Sequence, residues 1–182
     1  MADAISALRR GALDGRAFSS VAVSIEPVPP CARLSLRAPV SSVPALSQAL
    51  GLLLPRRSCT SLSSGSRIAM WLGPDEWLVA DTDGTDLAAL CAGSGAIHSA
   101  VDVSHRNVGI AVSGPGAETV LAAGCPLDLS FDLFPKDTCV RTILGKIEIV
   151  ILRTGENSFR IECWRSFSAY AFDFLREAAR GA

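Results

Sequence analysis

The sequence lacks the features that membrane-spanning and nucleic-acid-binding chains carry. No apolar run approaches the ~20 residues that span a bilayer. Lysine and arginine number 17 against 18 aspartate and glutamate residues, and the two signs are mixed along the chain without a basic stripe. We therefore expect a cytoplasmic protein whose partners are neither membranes nor nucleic acids.

The chain is also poor in histidine and has no paired cysteine motif. His98 and His105 are its two histidines, and none of the six cysteines forms a C-x-x-C pair. Most cysteines lie in or beside apolar segments, which is typical of small buried thiols in a reducing compartment. The residues therefore predict neither a bound metal nor a disulfide framework.

The first thirty residues carry no clear strand or helix pattern. Their start, MADAISALRRGALDGRAF, has arginines but no long apolar stretch, so it does not have the form of a secretory signal. Further on, the prolines of VSIEPVPP interrupt any regular element. We predict a loose N-terminal tail or docking segment over residues 1–30, with a short helix as the alternative.

An internal repeat is the strongest pattern in the chain. IAMWLGPDEWLVAD begins at Ile68, IVILRTGENSFRIE begins at Ile149, and Phe159 follows Trp77 by 82 residues. Each copy reads as strand, tight turn, strand and helix, and a strand running into a helix precedes each. The repeat predicts an α+β fold of tandem β-α-β-β-α units, with two antiparallel sheets and helices packed on them. We place the halves at residues 31–100 and 101–182 and expect one compact domain.

Two short motifs have the composition of functional sites without their geometry. SGPGAET (113–119) follows a strand, but the dinucleotide fingerprint needs a third glycine where Thr119 stands, which favours a plain helix start. Asp102, Ser104 and His105 lie on one extended stretch, where neighbouring side chains point to opposite faces, so they make a poor catalytic triad. The residues therefore predict no nucleophile–base pair.

Four longer stretches are specific in combination. They are WLGPDEWLV (71–79), DVSHRNVGIAVSGPGAETVLAAGCPLDL (102–129), FPKDTCVRTILGKIEIVILR (134–153) and FRIECWRSFSAYAFDFLREAA (159–179). Together they resemble the gamma subunit of heterotetrameric sarcosine oxidase. The resemblance runs from about Leu34 to the end of the chain, and the first thirty residues add nothing to it.

The stretch that starts with DVSHR is also similar to the aminomethyltransferase of the glycine cleavage system and its folate-binding kin. That resemblance implies the same tandem fold that the repeat predicts. It also implies that an Asn-Asp pair in the loop after this helix contacts folate. Leu127 and Asp128 occupy the matching positions here, so Asp128 is a weak folate candidate and the Asn is lost. This departure argues that the chain does not run folate chemistry itself.

The resemblance to sarcosine oxidase implies a non-catalytic subunit of an oxidoreductase complex. In such a complex the alpha and beta subunits carry FAD, FMN, NAD and the tetrahydrofolate site, the delta subunit carries zinc, and the gamma subunit holds the assembly together. The complex converts sarcosine to glycine, with formaldehyde or methylene-tetrahydrofolate and hydrogen peroxide. Asp102, His105, Arg106 and Arg165 are then the first candidates for polar contacts with the alpha or beta subunit.

The sequence leaves two other functions open. A free-standing folate-binding or one-carbon-transfer protein would use Asp128 as its proton-handling carboxylate. A structural repeat protein that associates with itself would need no other partner. Binding of a reduced folate separates the first alternative from a contact subunit, and the size of the particle in solution separates the second.

Overall fold

The computed structural model describes residues 11–181, which form eleven strands and four α-helices. The strands are β1 (Phe18–Ser19), β2 (Ser24–Pro27), β3 (Ala32–Arg37), β4 (Ser61–Ser64), β5 (Arg67–Gly73), β6 (Glu76–Asp81), β7 (Ser99–Asp102), β8 (Asn107–Ser113), β9 (Cys139–Leu144), β10 (Ile147–Gly155) and β11 (Ser158–Trp164). The helices are α1 (Val43–Leu50), α2 (Leu87–Gly93), α3 (Ala117–Ala122) and α4 (Ser168–Ala178). Within the described range, no helix has the length and apolar character needed to cross a membrane.

The strands form two antiparallel sheets with helices packed on them, which confirms the predicted α+β class. The first sheet has the order β4-β5-β6-β3-β7, and the second has the order β9-β10-β11-β8-β2-β1. The hairpins β5–β6 and β10–β11, which the alternating apolar pattern predicted, lie inside their sheets. In each sheet the hairpin has one face toward the helices and the other face toward the opposite sheet.

Apart from the extra edge strand β1, the two sheets repeat each other in register as well as in strand order. On the central hairpins, Trp71 pairs with Trp77, and Arg153 pairs with Phe159 at the equivalent place. The register then shifts at the same point before each turn. The repeat that the sequence predicted is therefore a repeat of backbone pairing.

Two short strands are exchanged between the halves, β2 into the second sheet and β7 into the first. β2 precedes β3 along the chain but pairs with β8, and β7 precedes β8 but pairs with β3. The registers match again, because Pro27 lies opposite Ile110 and Asp102 lies opposite Leu34. The halves are therefore interleaved, and the predicted boundary between residues 100 and 101 falls inside β7.

Residues 18–27 do not form the loose tail that the sequence predicted, because β1 and β2 extend the second sheet. The N–H of Val28 donates to the carbonyl of Gly109 at 2.9 Å, so the preceding position faces away from β8. On that side β1 no longer pairs, and the missing N–H of Pro27 breaks no ladder bond. Leu13 is also buried in the core. The part of the predicted tail before residue 11 lies outside the described residues.

The molecule has four layers, in the order helix, sheet, sheet, helix. α1 and α2 cover the outer face of the first sheet, and α3 and α4 cover the outer face of the second. A small apolar cluster lies between the sheets and consists of Met70, Leu78, Val103, Cys139, Val150 and Leu152. The rest of this inner space holds charged side chains from β3 and β11.

A symmetric junction joins the two sheets at one edge. The N–H of Ser61 donates to the carbonyl of Asp137 at 2.8 Å, and the N–H of Cys139 donates to the carbonyl of Cys59 at 3.1 Å. Cys59 and Asp137 are also the two non-glycine residues of the described range with positive φ, at 58° and 67°. Cys59 lies two residues before β4, and Asp137 lies two residues before β9, the equivalent edge strand. The two halves therefore meet through equivalent residues.

Candidate functional site

A cleft opens where the chain crosses between the two sheets. Residues 28–31 connect β2 to β3, and residues 103–106 connect β7 to β8. Both connections contribute to the wall of the cleft, together with residues 11–16, residues 84–88 and Arg165, and its volume is about 1150 Å³. A concave site of this size is a usual place for a ligand or a partner chain to bind.

The structure brings the four predicted contact residues to one region. Asp102, His105 and Arg165 line the cleft. Arg106 lies behind it, at a smaller cavity of about 240 Å³ between the sheets, and its guanidinium stacks 4.3 Å from the ring centroid of Trp164. The N–H of Arg165 donates to the carbonyl of Arg106 at 2.6 Å, which ties the two segments together.

Ser104 has a structural role that the sequence did not predict. Its hydroxyl accepts a hydrogen bond from the N–H of Arg33 at 2.9 Å, and its own N–H donates to the Asp102 carboxylate at 2.8 Å. The Ser104 side chain and N–H both lower the pKa of Asp102, so this carboxylate stays ionised at neutral pH. Within the described residues, no recorded hydrogen bond joins Ser104 to His105. Asp102 and Ser104 fasten the connection between β7 and β8 to β3, and the three residues do not form a nucleophile–base pair.

A buried ion cluster that the sequence analysis did not predict lies between the sheets. Arg33 donates to one oxygen of Glu162 at 2.7 Å, and Arg160 donates to the other at 2.6 Å. The side chains of Arg33 and Glu162 are 3% and 1% exposed. Burial opposes the charge of Arg160, but the carboxylate outweighs it and raises the Arg160 pKa. Two guanidinium groups therefore share one carboxylate away from water.

The ion cluster breaks the internal symmetry. Arg33 on β3 is equivalent to Gly109 on β8, and Ala80 on β6 is equivalent to Glu162 on β11. A Cβ atom on Gly109 would lie 3.0 Å from both Arg33 Nη2 and Glu162 Oε1. β3 thus carries an arginine where β8 carries a glycine, which has no side chain. The space between the sheets holds one such ion cluster and has no room for an equivalent second one.

A second buried acid stabilises the first sheet. Asp81 is fully buried and accepts a hydrogen bond from Arg67 at 2.8 Å. Burial alone would raise the pKa of Asp81, but hydrogen bonds from Arg67, Asp83, Thr85 and Ser66 outweigh it and lower that pKa to about 2. Arg67 also donates to the carbonyl of Leu50 at the end of α1. This cluster joins a helix to a strand.

Asp128, the folate candidate, lies outside the cleft. Its carboxylate accepts a hydrogen bond from the N–H of Ser130 at 2.9 Å, and the Ser130 side chain and N–H lower the Asp128 pKa. Asp128 is exposed and is absent from the walls of both the cleft and the smaller inter-sheet cavity. In this structure its visible role is to cap its own loop.

The glycines of SGPGAET serve chain packing. Gly114 has φ of 116°, and a Cβ atom there would lie 2.5 Å from the carbonyl oxygen of Ala22. The N–H of Gly116 donates to that same carbonyl at 2.9 Å. The segment before β2 therefore occupies the place that a nucleotide phosphate would need, and this agrees with the plain helix start that the sequence favoured.

The cysteines are mostly buried, and all six are free thiols. Five of the six are buried, and Cys59 is partly exposed. Burial raises the pKa values of Cys139 and Cys163 to about 12, so these thiols are neutral at physiological pH. Residues 11–181 contain no group of three or more His, Cys, Asp or Glu side chains that could hold a metal ion.

The sequence matches one family over most of its length. A sequence model of a protein family, the sarcosine oxidase gamma subunit family, matches residues 37–181. The sarcosine oxidase subunit gamma of Corynebacterium sp. (strain P-1) is 36% identical over 137 residues, which is 74% of this chain and 68% of that protein. The subunit gamma of Corynebacterium sp. (strain U-96) is 32% identical over 163 residues, which is 86% of this chain and 79% of that protein.

Solved structures extend the match to the fold. A chain of the heterotetrameric sarcosine oxidase from Corynebacterium sp. U-96, in complex with pyrrole 2-carboxylate, superposes with a TM-score of 0.87 at 28% identity, covering 95% of both chains. The glycine cleavage system aminomethyltransferase T of Bartonella henselae superposes with a TM-score of 0.66 at 18% identity, covering 88% of this chain and 47% of that one. The second likeness concerns the fold alone.

Proposed function

Because the chain belongs to the sarcosine oxidase gamma subunit family, we propose that it is a non-catalytic subunit that holds a sarcosine oxidase complex together. The observation that carries this proposal is the TM-score of 0.87 over 95% of both chains with a chain of a heterotetrameric sarcosine oxidase. The proposed partners are the alpha, beta and delta subunits, and the proposed location is the cytoplasm.

The chemistry of the complex would lie in those other subunits. Sarcosine, oxygen and water would give glycine, formaldehyde and hydrogen peroxide, or methylene-tetrahydrofolate in place of formaldehyde when tetrahydrofolate is the co-substrate. Hydride removal from an N-methyl group needs a flavin. We assign FAD, FMN and NAD to the alpha and beta subunits, and zinc to the delta subunit.

The residues of the cleft suit contact better than catalysis. Asp102 is ionised and bonded to Ser104, so it is unsuited to the role of a general acid. Arg33 is engaged by Glu162. His105, Arg106 and Arg165 add positive and hydrogen-bonding groups close to the cleft, which is the composition expected of a polar contact with another chain.

Co-expression tests the assembly role directly. The chain, with an affinity tag, is produced together with the alpha, beta and delta subunits and purified by that tag. We expect a yellow complex that oxidises sarcosine, and a colourless, inactive protein when the chain is produced alone. Recovery of the tagged chain without flavoprotein, or sarcosine oxidation by the chain alone, would contradict the proposal.

The two histidines provide a matched pair for locating the contact. His105 lines the cleft, whereas the ring of His98 lies outside it and bonds the carbonyl of Ala96 at 2.7 Å. His105→Ala should reduce the amount of flavoprotein that co-purifies, and His98→Ala should leave it unchanged. Equal yields for the two variants would remove the cleft from the interface.

A folate titration separates this proposal from the free-standing folate-binding alternative. The purified chain is titrated with tetrahydrofolate in a calorimeter under anaerobic conditions. We expect no saturable heat. Saturable binding that disappears in Asp128→Asn would favour the alternative, in which Asp128 handles a proton of the folate.

A further inference from the structure

The connection between α3 and β9 is long and irregular. It runs over 16 residues, 123–138, without a helix or strand, whereas the equivalent connection between α1 and β4 has ten residues, 51–60. Connections of more than about 12–15 residues without regular structure are uncommon and are usually functional or disordered. The packing of this connection distinguishes these two cases.

The connection is anchored at several points. Leu129 and Phe134 are buried in the core under the second sheet, at 2% and 5% exposure. The N–H of Phe134 donates to the carbonyl of Ser130 at 2.8 Å, which closes a tight turn over residues 130–134. Asp128 caps the start of this turn through the N–H of Ser130. The turn is therefore held at both ends.

A buried arginine holds the same turn from below. Arg153 is 1% exposed, and its guanidinium donates to the carbonyls of Leu129 and Glu156. It lies 3.3 Å from the Glu118 carboxylate and stacks on the ring of Phe159 at 4.4 Å. Removing a guanidinium from water is costly unless hydrogen bonds compensate, and the two Nη atoms of Arg153 form such bonds to the carbonyls on either side, although its buried Nε has no partner in the described residues. These bonds hold the loop in place.

The tip of this anchored turn exposes its largest side chains, and the ring of Phe131 also lies 5.4 Å from the Arg153 guanidinium. Phe131 and Leu133 are 48% and 68% exposed, and Asp132 between them is also exposed. A rigid loop that presents an aromatic and an aliphatic side chain has already lost the conformational entropy that binding would otherwise cost. Aromatic anchors of this kind dominate the energy of protein interfaces.

The surroundings of the tip are acidic. The connection carries Asp128, Asp132 and Asp137 against a single cation, Lys136. Glu118 is close by and pairs with Arg153, which is buried beneath the turn. A partner that takes up Phe131 and Leu133 therefore needs an apolar pocket with a basic rim.

We propose that residues 131–133 form a docking knob that inserts into an apolar pocket, rimmed by basic side chains, on a larger subunit of the complex. This inference rests on the proposed assembly function and adds the surface that carries it. The knob is part of the folded chain before association, so binding requires no ordering of this segment.

Affinity measurements on single variants test the knob. The isolated chain, as wild type, Phe131→Ala, Leu133→Ala or Ile97→Ala, is titrated into the complex of the other three subunits, and the dissociation constant is measured by calorimetry. Ile97 is 80% exposed and lies in another loop, so it is the matched control. We expect at least tenfold weaker binding for each knob variant and less than twofold change for Ile97→Ala.

Charge reversal tests the basic rim. Asp132→Lys should weaken binding more at low salt than at high salt, and Asp83→Lys, which reverses an exposed acid elsewhere, should not. Tighter binding of Asp132→Lys would overturn the basic rim. Unfolding midpoints measured by circular dichroism check that every variant is folded. Leu133→Ala is the less disruptive of the two knob variants, because Leu133 is 68% exposed whereas the Phe131 ring lies 5.4 Å from the Arg153 guanidinium.

The outcomes separate the knob from the assembly function. Failure of the wild-type chain to bind the other subunits would overturn both. Wild-type binding that Phe131→Ala and Leu133→Ala leave intact would overturn the knob alone. A wild-type dimer in light scattering that Leu133→Ala converts to monomer would assign the tip to a second copy of this chain and refute the proposal.

Discussion

Neutralising Glu162 should destabilise the fold more than any change to a surface charge. In Glu162→Gln, the guanidinium groups of Arg33 and Arg160 keep their positions but lose the one carboxylate that they share. Breaking a buried ion pair by removing one partner typically costs 3–5 kcal/mol, because an uncompensated charge stays buried. Two cations here depend on the same anion, so we expect a loss of about 4 kcal/mol.

Urea unfolding at pH 7 measures this loss. Trp77 is 1% exposed and donates to the carbonyl of Pro55 at 2.7 Å, so its fluorescence reports on the core. The control is Glu148→Gln, because Glu148 is 56% exposed and lies 3.9 Å from Arg141. Removing this surface pair should change the free energy of unfolding by less than about 1 kcal/mol.

A third variant separates charge from packing. Arg33→Met, Arg160→Met and Glu162→Leu together remove all three charges and keep similar volume. Replacing a whole buried ion cluster with apolar side chains is often neutral or stabilising. We therefore expect the triple variant to recover most of the stability that Glu162→Gln loses. A loss below about 1 kcal/mol for Glu162→Gln, or a triple variant that is less stable than the single one, would refute the argument.

Three further predictions concern the rest of the fold. Gly109→Ala should lower the free energy of unfolding by about 1–3 kcal/mol because its Cβ overlaps the ion cluster, whereas Gly93→Ala, with open space around it, should raise it by about 0.5 kcal/mol. The pKa of Asp81 is about 2 in the folded protein, against an ordinary value of 3.8. Its contribution of about 2 kcal/mol to the free energy of unfolding is therefore present above pH 4 and lost as the pH falls from 4 to 2. Asp81→Asn should flatten that part of the stability profile in urea titrations. Cys59, which is partly exposed, should react with a thiol reagent in the native protein, and Cys139, which is buried with a pKa near 12, should react only after unfolding.

The sequence predicted the sheets well where the apolar pattern is local. Each central hairpin combines alternating apolar residues with a tight turn, so its strands can be read from a few neighbouring positions. The β5–β6 and β10–β11 hairpins appear where these patterns stand, and their equivalent registers follow from the 82-residue repeat. Backbone pairing within a hairpin is determined by residues that are close along the chain.

The exchanged strands could not be predicted in the same way. β2 has four residues and ends in proline, so its own pattern is too short and too irregular to indicate a strand. Its pairing with β8 joins residues more than 80 positions apart, and the equivalent β7 pairs with β3 across more than 60 positions. Only the assembled sheets show that each unit completes the other.

Buried charges were missed for a related reason. In a strand with alternating polarity, an arginine is normally read as a solvent-facing residue, and Arg33 fits that pattern. The inner face of its strand meets a second sheet, and its partner Glu162 lies 129 positions away. Arg153 was missed in the same manner, because the carbonyls that it holds belong to loops. An alternating pattern distinguishes the two faces of a strand. It does not show that both faces are covered, one by helices and the other by a second sheet.

The differences between the two halves indicate where the function lies. Apart from β1, strand order, register and the edge junction are the same in both halves, so these features serve folding. Several features of the described residues occur in one half only, among them β1, the Asp81–Arg67 pair, the Arg33–Glu162 cluster and the anchored connection. The Arg33–Glu162 cluster lies where the sheets face each other, and its effect is confined to the interior. The anchored connection over residues 123–138 changes the outer surface, since it replaces a shorter counterpart with an exposed apolar tip. A duplicated scaffold that binds one partner must differ between its halves on that outer surface, and this is the reason to examine residues 131–133 before any symmetric feature of the fold.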